Sequence, residues 1–208
     1  MKIPFPEELS QNSLFLWLMH RISEEFDAHA ILKGGMALRL LGCDRQTVDL
    51  DYVFVPFSSK KEIGEQLKAL CEEIPDGTVR STMNSKAMRI HIGVQGVQAQ
   101  VEASVSDKCK SIALSTEELS REVNELGRII RVMSFDVALA HKLAAWNERR
   151  LIRDLFDAWF LFARLKELPD LDILQARLEK IQSRRPELKK TKKMSLQQFG
   201  QALEEAVQ

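Results

Sequence analysis

The sequence predicts an α+β fold, with a mixed sheet and flanking helices over residues 1–133 and an all-helical domain over residues 134–208. Residues 31–54 run from an apolar stretch through Gly34-Gly35 and a helix-forming segment into a β-type run that opens Asp49-Leu50-Asp51, the order strand, glycine turn, helix, loop, strand. Strand-like runs follow at 78–82, 87–94 and 97–105, the last two joined through Gln95-Gly96 as a tight hairpin. Beyond Met133 the apolar spacing is helical throughout.

In chain order, residues 6–26 read as an amphipathic helix whose stripe carries Leu9, Leu16 and Trp17, widened by Leu14, Leu18 and Ile22. His20 and His29 lie here without a His, Cys or carboxylate at metal-ligand spacing, so both read as structural. Residues 58–73 form a helix opened by two serines, and Pro75-Asp76-Gly77 turns the chain into the first of the three strands. Residues 108–127 read as a polar connection with one short helix at 116–124, before a last strand at 128–133. Ser134 offers an N-cap for a helix at 135–148; a second spans 151–166 until Leu168-Pro169 stops it. Leu171, Leu174, Leu178 and Ile181 mark another helix, and Ser195 caps a last one through residue 206. Between these lie residues 180–193, with seven basic side chains and one Glu, either a solvated loop or a track for an RNA backbone.

Thirty basic side chains balance thirty acidic ones in 208 residues, so no global positive field argues for nucleic acid, and any such binding needs a local patch. Cys43, Cys71 and Cys109 form neither a disulfide framework nor a Cys-x-x-Cys zinc motif, which fits a reducing cytoplasm. No signal sequence and no run of eighteen apolar residues is present, so neither export nor a membrane span is expected.

The chemistry concentrates in two stretches. Asp49 and Asp51, two apart on a strand, share a face and suit a divalent cation. Gly34 and Gly35, just before a helix, let backbone N–H groups approach an anion. Phosphate at one end and Mg²⁺ at the other describe a nucleotide site. In the 97–105 run Gln98, Gln100, Glu102 and Ser104 alternate with apolar residues, which makes Glu102 the candidate third metal ligand. In the helical part, Lys142 falls on the stripe of Phe135, Ala138, Leu139, Ala145 and Trp146, where a charge needs an anion. Asp154 is in line with Ala158, Leu161 and Leu165, so the two face each other or a shared ligand. The alternative is a snorkelling Lys142 with helical pairs Arg150–Asp154 and Arg153–Asp157.

The first stretch resembles the polymerase-β-like nucleotidyltransferases, with Gly-Gly followed by Asp-x-Asp. More narrowly, Lys33-Gly-Gly-Met-Ala-Leu-Arg-Leu40 and Asp44-Arg-Gln-Thr-Val-Asp-Leu-Asp51 look like the AbiEii family, toxins of bacterial type IV toxin–antitoxin and phage-abortive systems. Lys142, Ala145, Arg149, Arg153, Asp154 and Asp157 match that family's second motif, Lys-x-x-Ala followed by Arg-x-x-x-Arg-Asp-x-x-Asp. The resemblance implies a polymerase-β-like core and transfer of a nucleoside monophosphate from a triphosphate to an acceptor, in some relatives tRNA, restrained by a winged-helix antitoxin. It implies Mg²⁺ on Asp49, Asp51 and Glu102, nucleotide binding by Lys33, Gly34, Gly35, Arg45 and Lys142, and catalytic roles for Asp49, Asp51, Glu102, Lys142 and Asp154. Two positions depart from the pattern: Met36 stands where a hydroxyl residue usually follows the glycines, and Gln100 where a basic residue is expected before the third carboxylate. A small-molecule acceptor of the aminoglycoside kind and a nucleotide-binding partner protein without turnover are the competing readings.

Overall fold

The structure is a computed structural model that describes residues 3–180 together with Ser195, Gln197, Gln198 and Gln201. The basic segment beyond Lys180 lies outside the described residues, as does most of the final helix; Ser195 and Gln198 exchange the two hydrogen bonds of a capping box at its expected start. The chain divides into two compact units, Met1–Met133 and Ser134–Gln208.

The first unit is built on seven strands: β1 (Ala30–Lys33), β2 (Asp49–Phe54), β3 (Thr78–Met83), β4 (Met88–Val94), β5 (Val97–Val105), β6 (Ser111–Ser115) and β7 (Ile129–Met133). They lie in the order β3-β4-β5-β2-β1-β7-β6. The sheet is mixed: β2 runs parallel to β5 and antiparallel to β1, while β1 runs parallel to β7. The hairpin between β4 and β5 turns at Gln95 and Gly96 with φ of 47° and 81°, the paired left-handed geometry of a two-residue turn that follows the strand twist.

Four helices accompany the sheet, α1 (Gln11–Phe26), α2 (Gly34–Arg39), α3 (Lys61–Cys71) and α4 (Glu117–Glu122). The first begins five residues later than its apolar spacing predicts, because Ser10 and Ser13 close a capping box that fixes the start. Leu14, Phe15, Leu18, Met19 and Ile22 on α1 are fully buried, as are Leu50, Val101 and Ile90, register partners across β2, β5 and β4. Arg21, also buried, reaches Glu73 just past α3 through a two-pronged contact of 2.8–3.2 Å. Strand β6 replaces part of the polar connection expected at residues 108–127. It is a sheet edge whose half-exposed Ser-Ile-Ala-Leu-Ser leaves little apolar alternation to read, and pairing with β7 specifies it.

The described part of the second unit is helical: α5 (Phe135–Arg149), α6 (Ile152–Trp159) and α7 (Leu171–Glu179). Ala140, Ala144, Trp146, Leu174 and Leu178 form its core. Helix α5 stops at Arg150, in the left-handed region at φ 53° with its N–H donating to the Trp146 carbonyl. The single helix expected at 151–166 is α-helical only to Trp159 and continues as a wider turn over Phe160–Arg164, where the Leu165 N–H donates to the Phe160 carbonyl. Asp170 caps α7 by accepting from the Ile173 N–H at 3.1 Å.

Candidate functional site

The site grows from the junction of β1 and α2. Gly34 turns the chain there with φ +76°, and a Cβ on it would collide with the Asp51 carboxylate. A Cβ on Gly35 would meet the Arg45 guanidinium and the side chain of Thr47. Both glycines are therefore bare because acidic and basic groups from one following segment fold back over them. Thr47 ties that segment to β2 by donating from its hydroxyl to the Asp49 carbonyl at 3.4 Å, and the Arg45 guanidinium donates to the Gln46 carbonyl at 3.3 Å.

Strand register sets out the rest of the face. Lys33, Asp51, Glu102 and Arg89 are successive partners across β1, β2, β5 and β4. Two residues along, Asp49, Gln100, His91 and Arg80 are successive partners across β2, β5, β4 and β3. Register partners share a face, as do residues two apart on a strand, so both rows lie on the side of the sheet opposite Leu50, Val101 and Ile90. Asp49, Asp51 and Glu102 thus share one polar face. Arg89, which no sequence pattern singled out, donates to Glu102 at 2.7 Å. Among the described residues no three His, Cys, Asp or Glu side chains are gathered to hold a metal ion. Asp49 and Asp51, hard oxygen donors on one strand with the bare Gly34 backbone beneath Asp51, nevertheless fit Mg²⁺, which binds through one or two carboxylates and takes its other ligands from substrate phosphates and water.

At the start of β2 and β5 the Asp49 row borders a cleft of about 490 Å³, into which Arg80, His91, Gln98 and Gln100 also open. Arg80 and His91 were invisible in the sequence as site residues, since only pairing order puts them in line with Asp49.

The second motif resolves into different ion pairs from those expected. Lys142 is held by Asp157, not Asp154, at 2.5 Å, and the Asp157 side chain is wholly buried. Asp154 takes two hydrogen bonds from Arg149, of 3.0 and 2.6 Å, rather than from Arg150 or Arg153. The reason lies in Arg150, whose left-handed backbone ends α5 and breaks the helical i,i+4 spacing; its guanidinium lies 4.2 Å from the centre of the Trp146 ring. Burial lowers the Arg150 pKa. Buried Glu148, paired with Arg177 at 2.9 Å, adds a third ion pair.

His20 and His29 keep structural roles. His29 Nδ1 lies 2.7 Å from the Val55 carbonyl. His20 Nε2 lies 2.8 Å from the Thr116 hydroxyl. Burial, helped by the Arg128 charge, lowers the His20 pKa to about 4.

Residues 17–208 match the family model described as nucleotidyl transferase AbiEii toxin, type IV TA system. The chain belongs to the AbiEii family. It is a nucleotidyltransferase of a toxin–antitoxin type by that membership. No curated protein sequence matches this AbiEii-family chain. Among solved structures it is similar to ANT(2")-Ia in complex with adenylyl-2"-tobramycin, at 15% identity and a TM-score of 0.47 over 76% of this chain and 90% of that one. It is also similar to the Bradyrhizobium diazoefficiens CD-NTase CdnG in complex with GTP, at 14% identity and a TM-score of 0.31 over 85% and 59%. A third is terminal uridylyl transferase 4 from Trypanosoma brucei with bound GTP, at 12% identity and a TM-score of 0.34 over 90% and 60%. The chain spans about three fifths of the length of these last two. Among the described residues no helix is long and apolar enough to cross a membrane.

Proposed function

We propose that this protein transfers a nucleoside monophosphate from a nucleoside triphosphate to a hydroxyl of RNA, with tRNA the leading acceptor. As a cytoplasmic type IV toxin with a role in phage defence, it is held in check by a winged-helix antitoxin. The observation that carries this reading is the approach of Asp51 to Gly34, which joins the two halves of the first motif at one point, with Asp49 on the same strand face. Asp49 and Asp51, with Glu102, would hold Mg²⁺, which when bound would neutralise charge on the triphosphate and acidify the acceptor hydroxyl.

The chain's own residues do the rest. The Gly34 and Gly35 backbone N–H groups bind the triphosphate, and Lys33 and Arg45 set positive charge beside it. The acceptor oxygen bonds to the α-phosphorus as the bond to the β-phosphate breaks, and pyrophosphate leaves. The hydroxyl proton passes to a carboxylate of the same polar face. Lys142 and Asp154 carry the roles the second motif implies, charge neutralisation on the nucleotide for Lys142 and support of acceptor activation for Asp154, the latter with its carboxylate fixed by Arg149.

The test is incubation of purified protein with each α-labelled nucleoside triphosphate, Mg²⁺ and total bacterial RNA, beside Asp49→Asn. Label in a tRNA-sized band that vanishes in the variant is the expected result. Label confined to a small molecule, or none in any fraction while nucleotide still binds, moves the assignment to a small-molecule acceptor or a binding module.

A further inference from the structure

We propose that the cleft at the start of β2 and β5 is the acceptor site, in which Arg80 and His91 hold the phosphodiester backbone of a single-stranded RNA 3′ end. The inference rests on the transfer reading above and adds where the acceptor lies and which residues select it.

Position is the first argument. Asp49 borders the cleft and is also the first residue of the carboxylate strand, so a ligand in the cleft abuts the proposed reaction centre. From Asp49 the register steps through Gln100 and His91 to Arg80, three strand spacings or about 14 Å. That is a track long enough for a short run of nucleotides, not a socket for one hydroxyl. The volume of about 490 Å³ falls within the range of ligand sites.

Charge is the second. Asp49 is the one carboxylate among the cleft's lining side chains, against the Arg80 guanidinium and the His91 imidazole. A polycationic aminoglycoside would meet Arg80 with a single carboxylate in compensation, and that carboxylate is committed to the cation. With Asp49 neutralised by the cation, a polyanionic strand meets the Arg80 charge unopposed. Gln98 and Gln100 add amides that donate and accept, suited to sugar hydroxyls and base edges, and the exposed His91 ring offers a face for stacking. The cation missing at Gln100 is thus supplied from the neighbouring strands in the same row. With no net charge on the chain, RNA binding requires a local cation, and Arg80 supplies one with His91 beside it as a hydrogen-bonding ring.

The experiment measures binding of a 5′-fluorescein single-stranded RNA dodecamer with a free 3′ hydroxyl by anisotropy, over a salt series, with the full chain and the Arg80→Gln/His91→Gln double variant. The expected result is roughly tenfold weaker binding by the variant and a log K against log salt slope shallower by about 1, with nucleoside triphosphate affinity unchanged. Both side chains are exposed, so the variant's circular dichroism should match the parent's. Equal RNA affinity and equal slope in the two proteins would overturn the acceptor site while leaving RNA transfer standing. A parent that neither binds the dodecamer nor labels RNA, but labels tobramycin, would remove the transfer reading and this inference with it.

Discussion

The Asp51 carboxylate fills the space that a Cβ on Gly34 would need. Two residues seventeen positions apart are thereby locked into one small volume, and Gly34 also has φ +76°, which an L side chain adopts only with strain. Gly34→Ala should therefore cost roughly 1–3 kcal/mol of stability and abolish nucleotide transfer. The double variant Gly34→Ala/Asp51→Ala should regain part of the melting temperature without regaining activity. A Gly34→Ala protein with parental stability and turnover would show that the close approach is not required.

Asp49→Asn keeps shape and hydrogen bonding while removing a charge from the proposed cation site. Transfer should fall by two orders of magnitude or more, about 3 kcal/mol in the barrier, with unfolding unchanged. Mn²⁺ affinity, followed by electron paramagnetic resonance, should weaken in parallel. Transfer that survives in Asp49→Asn would remove Asp49 from the metal assignment.

Glu102 is a proposed metal ligand that is also paired with a protein cation, Arg89. The Arg89 pair is partly exposed, so it contributes no more than about 1 kcal/mol to stability. Arg89→Ala should leave the melting temperature nearly unchanged yet tighten Mn²⁺ binding, because Glu102 no longer divides its charge between guanidinium and ion. Unchanged Mn²⁺ affinity would mean that Arg89 and the cation do not compete.

These side chains also mark what was legible in the sequence. Asp49 and Asp51 could be read because a period of two on one strand needs no knowledge of its neighbours. The β4–β5 hairpin was legible for a similar reason, since Gln95-Gly96 encodes its turn locally. Arg89, His91 and Arg80 were not legible: their relation to the carboxylates is set by strand order and register, which are tertiary facts. Strand β6 failed for the same reason, its pairing with β7 outweighing a weak local pattern. In the second motif, spacing located Lys142 and Asp154 but assigned the wrong partners, because the left-handed Arg150 resets the phase between α5 and α6.

Lys142 is paired with a carboxylate that has no exposure to solvent. Lys142→Ala removes the lysine partner of that buried charge and should cost about 3 kcal/mol of stability, beyond a weakening of triphosphate binding by roughly 1–3 kcal/mol. The two effects separate in Lys142→Met/Asp157→Leu, which removes both charges. Stability should largely return in the double variant, whereas triphosphate affinity should stay low. Full recovery of both would restrict Lys142 to holding Asp157.

His20 gives the fold a pH dependence whose sign follows from its burial. Its pKa in the folded chain is about 4, below the usual 6.5 of a free imidazole. Above pH 6.5 the ring is neutral in both states and contributes no slope. Between 6.5 and 4 the unfolded chain takes up a proton that the folded chain refuses, so stability falls as pH drops. The loss levels off below 4 at up to about 3 kcal/mol. His20→Gln retains an amide able to bond the Thr116 hydroxyl but does not titrate. Urea unfolding of parent and variant from pH 7.5 to 4 should give curves that diverge through this window, with the parent losing more. Carboxylate protonation acts on both proteins alike, so the difference isolates His20, and parallel curves would mean that the imidazole is not held neutral by the fold.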